Sequence, residues 1–153
     1  FWIKYIMVKQ FMKLAKFFLL FILFCVCLHT KVNTKENFFT EGVKLFDQKK
    51  YTDSKFKFEQ DIVFNPKSEF SYLYLAKIFK KQSNDELEEQ NLNVVILLNP
   101  KNEEALYLLT LLRIKKSDYD ESQKLLKKFE KVCNKICGKK VELISKLKSL
   151  ETN

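Results

Sequence analysis

Two Asn-Pro pairs, Asn65-Pro66 and Asn99-Pro100, lie 34 residues apart. Each closes an apolar stretch, Asp61-Ile62-Val63-Phe64 in one case and Val95-Ile96-Leu97-Leu98 in the other. Other positions keep the same step. Gly42, Ala76 and Thr110 are all small; Leu45 leads to Phe79 and Arg113; Phe58 leads to Leu92 and Leu126. Tyr51 and Tyr119 stand two periods apart, with Asp85 between them. Self-similarity at a period of about 20–50 residues marks stacked units, none of which buries its apolar face alone.

The unit is helical. With two glycines and two prolines in 153 residues, the chain lacks the breakers that an all-β fold needs at each hairpin. Apolar spacing predicts helix pairs at 35–49 with 51–64, 69–81 with 84–98, and 103–116 with 118–134. Ser83-Asn84-Asp85 and Ser117-Asp118 offer side-chain oxygens to the open amides at helix starts. Pro66 and Pro100 stop the helices before them, and Gly138 is expected to end the last. Residues 139–151 form an amphipathic tail with Val141, Leu143, Ile144, Leu147 and Leu150 on one side. An open solenoid exposes the apolar flank of its last repeat, so the tail reads as a capping helix. A partner-binding helix would carry the same pattern.

This period and pattern resemble the tetratricopeptide repeat family. The best copy runs from Gly42 through Tyr51, Ser54 and Phe58 to Asn65-Pro66. Its small residues let the paired helix approach, and Leu45 and Phe58 fill the seam. Later copies depart from the pattern: Glu88 takes a slot where the family has a small residue, Thr110 replaces Gly or Ala, and Asn134 stands where proline would close the repeat. The resemblance covers about residues 35–134. It implies an all-α chain: an α-solenoid of three antiparallel helix pairs, with repeats at about 35–68, 69–102 and 103–136, a capping helix at 139–151, and an apolar N-terminal helix ahead of them.

In that family the first helix of each pair lines a concave groove that binds peptides or helices. Carried over by position, the lining comprises Phe39, Val43 and Phe46, then Phe70, Leu73, Lys77 and Lys80, then Tyr107, Leu111 and Ile114. The implied groove is mostly apolar with a small basic strip. Members that grip the terminal carboxylate of heat-shock chaperones use Lys, Asn and Arg there. The corresponding places here hold Phe39, Val43, Leu73 and Leu108, with Lys77 alone of the right type, so that specificity is not expected.

Residues 1–30 read as a signal peptide or an N-terminal membrane anchor. The sequence opens Phe1-Trp2, so the expectation is a fragment or an over-extended reading frame. A start at Met12 gives Lys13 and Lys16 followed by an unbroken apolar run from Phe17 to Leu28. That is the length of a secretory h-region; a stable transmembrane helix needs about 20 apolar residues, which Ile3 to Phe11 would help to supply. Cys25 and Cys27 raise the alternative of lipidation, though Phe24 and Val26 before them match a lipoprotein signal poorly. With the lysines inside, everything after His29 is expected outside the cytoplasm.

The formal charge is +9. Lys4, Lys9, Lys13 and Lys16 precede residue 28 with no acid, leaving 24 basic against 19 acidic residues, a net +5. Arg113 is the one arginine and the lysines are interleaved with acids, which does not suit nucleic-acid binding. No constellation of acid, base and nucleophile is present, and two glycines cannot make a phosphate loop. No enzyme activity, cofactor or metal is expected. Cys133 and Cys137 are read first as buried small hydrophobes, second as a local disulfide, and last as a metal site, since two further ligands are missing. The reading is an extracytoplasmic adaptor that binds a protein or peptide partner, touches the membrane through its N-terminal segment, and has a capacity for self-association. The alternatives are a structural or lipoprotein-like subunit of an envelope complex, and a non-catalytic accessory domain of a larger protein.

Overall fold

The computed structural model describes residues 35–151; the leader, with His29, Cys25 and Cys27, lies outside them. Among the described residues there are seven α-helices and no strand: α1 Lys35–Asp47, α2 Tyr51–Phe64, α3 Glu69–Lys81, α4 Asp85–Leu98, α5 Glu103–Lys115, α6 Tyr119–Val132 and α7 Lys139–Glu151. The closest packing is within the pairs α1–α2, α3–α4 and α5–α6. Each pair also meets the next, and α7 lies against both α5 and α6. This is an α-solenoid of three helix pairs with a C-terminal cap. None of these helices is long and apolar enough to cross a membrane.

The 34-residue step reappears as packing. An added Cβ on Gly42 would stand 2.7 Å from the Phe58 ring, so only glycine admits that ring between α1 and α2. Ala76 and Thr110 at the equivalent places are fully buried, as are Phe58 and Leu92. Ser54 donates to the Gly42 carbonyl at 2.8 Å, closing the same seam with a hydrogen bond. Between the first two pairs, buried Ser71 donates to buried Asp61 at 2.5 Å. The main core cluster runs from Leu73 on α3 through Leu106, Leu109 and Phe129 to Leu143 and Leu147 on α7.

The three turns inside the pairs share one geometry. Lys49, Ser83 and Ser117 all have positive φ, at 61°, 56° and 57°. After them, Lys50, Asn84 and Asp118 donate their amides to Leu45, Phe79 and Arg113, while Lys49, Ser83 and Ser117 donate to Phe46, Lys80 and Ile114. Those paired bonds are the Schellman closure of a helix C-terminus. The next helix then starts on a side-chain cap in two cases, Asn84 accepting from the Leu87 amide and Asp118 from the Glu121 amide.

One expectation is overturned here. Cys133 and Cys137 are not buried hydrophobes but are joined by a disulfide, with Cα atoms 5.1 Å apart. A four-residue spacing disfavours a disulfide within a continuing helix, but the helix does not continue here. α6 stops at Val132 and Cys133 turns extended, with ψ 139°, so the chain bends into a ring.

Candidate interaction groove

α1, α3 and α5, the first helices of the three pairs, touch one another through side chains and form one continuous strip. The Phe39 ring on α1 lies 6.3 Å from Phe70 and 5.9 Å from Tyr74 on α3, and Phe46 lies 5.1 Å from Tyr74. Lys77 sits 4.8 Å above the Tyr74 ring and reaches Glu104 on α5 at 2.8 Å. Tyr74 is the hub of this strip. Its hydroxyl pKa is raised by burial first, then by the carboxylates of Asp47 and Glu104. Beside it, Phe39, Thr40, Val43, Lys44, Asp47 and Gln48 border a shallow depression of about 520 Å³.

Phe39, Val43, Phe46, Phe70 and Lys77 all lie on this strip, with Phe70 the most open at 54% exposure. Tyr74 completes the set. Its place one residue past Leu73 gave no signal in the sequence, because the 3.6-residue period leaves either position free to face inward. Leu111 is half-buried, and Lys80 is exposed at the end of α3, close enough to Glu88 on α4 to affect its charge.

Leu73, Ile114 and Tyr107 stand elsewhere than the groove surface. Leu73 and Ile114 are 3% and 8% exposed and belong to the core; α3 and α5 are inner helices flanked on both sides, which narrows their free face. Tyr107 is covered by α7. Its hydroxyl donates to Glu142 at 2.9 Å, and Lys139 lies over its ring. Burial and then that carboxylate push its pKa up to about 12.

Arg113 takes a slot whose equivalents are Leu45 and Phe79. It pairs with Glu89 on α4 and with Asp118 in the turn. Among the described residues no cluster of His, Cys, Asp and Glu side chains is arranged to hold a metal ion.

The backbone is similar to that of several solved helical-repeat domains. The first repeat domain of Spaghetti (RPAP3), solved with the HSP90 peptide SRMEEVD, superposes with a TM-score of 0.67 at 15% identity, over 81% of this chain and 95% of that one. The type III secretion chaperone SycD of Yersinia enterocolitica, solved with a peptide of the translocator YopD, gives 0.69 at 13% identity, over 81% and 97%. The Sgt2 domain from Aspergillus fumigatus gives 0.62 at 14%, over 79% of each chain. The chain has the tetratricopeptide fold. No family model and no curated protein matches it in sequence. In a tetratricopeptide domain the strip formed by α1, α3 and α5 is the inner face of the solenoid, so the cluster around Tyr74 is its candidate groove and α7 closes one end.

Proposed function

We propose that this tetratricopeptide domain is an extracytoplasmic adaptor that holds an apolar peptide segment or a partner helix against Phe39, Val43, Phe46, Phe70 and Tyr74. The observation that carries the reading is Phe70: a large aromatic side chain, more than half exposed, whose ring packs beside that of Phe39 on the border of the depression. Aromatic anchors over a desolvated floor are what partner side chains pack against. Lys77, Lys44 and Asp47 at the edge supply orientation. Leu111 on α5, half-buried against the core cluster, is a further apolar candidate for the same face. The Spaghetti domain, solved with an HSP90 peptide, and SycD, solved with a YopD peptide, support a peptide-holding role for a domain of this fold.

Two features support a place outside the cytoplasm. The apolar run from Phe17 to Leu28 follows lysines and no acid, and the Cys133–Cys137 disulfide suits an oxidising compartment. The intact mass of the native protein from a membrane fraction tests the leader. A chain beginning near Leu28 means cleavage, and one retaining Phe17 to Leu28 means an anchor; recovery of the intact protein from the cytosol would count against export.

The groove is tested by panning a random-peptide display library on the full chain. The expected result is an enriched consensus rich in aromatic and aliphatic residues, lost in Phe70→Asp and in Val43→Asp while both variants keep the wild-type melting profile. A consensus retained by both, or none enriched, would defeat the assignment.

A further inference from the structure

The loop between α6 and α7 is held in an unusual way. Glu103, in the first turn of α5, accepts backbone N–H groups from Asn134 at 2.7 Å, Lys135 at 3.0 Å and Ile136 at 3.3 Å. These three residues are the interior of the ring closed by Cys133–Cys137. One repeat earlier, Glu69 at the equivalent position holds the side chain of Asn99 at 3.2 Å. There Pro100 has no amide to give; Asn134, in the proline slot of the third repeat, does. The three bonds pull the Glu103 carboxyl below its ordinary range, the Asn134 amide contributing most.

α7 grows directly out of this ring. The amides of Lys139 and Lys140 donate to the carbonyls of Ile136 and Cys137. From that origin the helix lays Leu143 and Leu147 into the core, and Glu142 reaches Tyr107. Reduction would give the ring back its freedom and disperse the three amides that converge on Glu103. At the ring itself, Cys137 is exposed and Cys133 half-covered, and Lys135, Lys139 and Lys140 surround the bridge in sequence.

We infer that the Cys133–Cys137 bridge is a redox latch for α7, opened by a dithiol reductant and closed again by exchange with a disulfide, which is itself reduced to a dithiol. A thiolate of the dithiol attacks the Cys137 sulfur; the bridge breaks and Cys133 departs as a thiolate that takes up a proton. The second thiolate of the reductant then displaces Cys137, so two electrons pass to the protein and the reductant leaves as its own disulfide. With the ring open, Glu103 loses its partners, α7 loosens, and Tyr107 with the apolar flank of α5 and α6 is uncovered.

The test is amide hydrogen exchange on the full chain in mild detergent, purified without reductant and then treated with dithiothreitol. The expected result is exchange in residues 139–149 at least tenfold faster after reduction, with α1 to α4 unchanged. The double variant Cys133→Ser/Cys137→Ser should exchange like the reduced protein and ignore dithiothreitol. Glu103→Gln, with the bridge intact, should loosen α7 part of the way. Unchanged protection of α7 on reduction would overturn the latch, as would equal loosening of every helix. Finding Cys133 and Cys137 as free thiols before any reductant is added would overturn it too.

Discussion

The Tyr107 hydroxyl on α5 donates to the Glu142 carboxylate on α7 at 2.9 Å, and this bond takes Tyr107 out of the groove its position would otherwise give it. The two groups shift each other. Glu142 is held below its ordinary range, chiefly by the Tyr107 hydroxyl, while Tyr107 is raised. Tyr107→Phe removes the bond and little else. It should lower stability in urea by roughly 1 kcal/mol and raise the Glu142 titration, followed by carbon NMR, toward the usual carboxylate range, with Lys139 and Lys146 still holding it down in part. An unmoved Glu142 titration would mean that the bond does not form in solution.

Ser71 and Asp61 are both buried, and they join the first pair to the second. Ser71→Ala leaves a buried carboxylate without its donor, which costs about 1–3 kcal/mol. Urea denaturation should show that loss. The double variant Ser71→Ala/Asp61→Ala should lose less than the two singles summed; additive losses would show that the two side chains do not interact.

Lys49, Ser83 and Ser117 adopt left-handed backbone that costs a residue with a Cβ about 1 kcal/mol or more and glycine almost nothing. Lys49→Gly, Ser83→Gly and Ser117→Gly should each raise stability by up to about 1 kcal/mol, offset in part by the greater freedom of glycine in the unfolded chain. Thermal melts of the three singles and the triple read the effect directly. A fall in melting temperature at all three sites would contradict the turn geometry.

Glu88 is 3% exposed, in the seam slot where the other two repeats place buried Ser54 and Ser122. Burial raises its pKa; Lys80 works against the shift most strongly, Asp85 adds to it, and Lys115 and Lys116 also lower it. A carboxyl whose folded pKa lies above its unfolded one destabilises the fold when ionised, and that penalty fades as pH falls through the raised value. Glu88→Ala should therefore stabilise the domain at pH 7, on the order of 1 kcal/mol, with a smaller gain near pH 4.5. Urea midpoints of both proteins across that window decide it; an equal gain at the two pH values would remove burial of the charge as the cause.

What the sequence made legible was whatever repeats. Gly42, Ala76 and Thr110, with Phe58 and Leu92, sit where the period put them because a stacked unit meets the same neighbours each time. The helix limits follow for the same reason, since Asn84 and Asp118 cap locally. Features that break the repeat were hidden. Nothing in the 34-residue step says that α7 folds back over Tyr107, or that Glu103 collects the amides of residues 134–136, because those contacts join segments more than thirty residues apart. The left-handed turns were equally silent, with lysine and serine standing where glycine would have announced them.

The core cluster that begins at Leu73 is completed only by Leu143 and Leu147, near the end of the described chain. Helices that pack mainly on their sequence neighbours assemble quickly, and each pair can form as soon as it is made. The third pair is the exception. As the polypeptide is synthesised, α5 and α6 emerge with an apolar flank that has no cover until about a dozen more residues have followed. The α7 segment therefore decides when this part of the domain stops being sticky, and truncation within α7 should yield a chain that folds at one end and aggregates from the other.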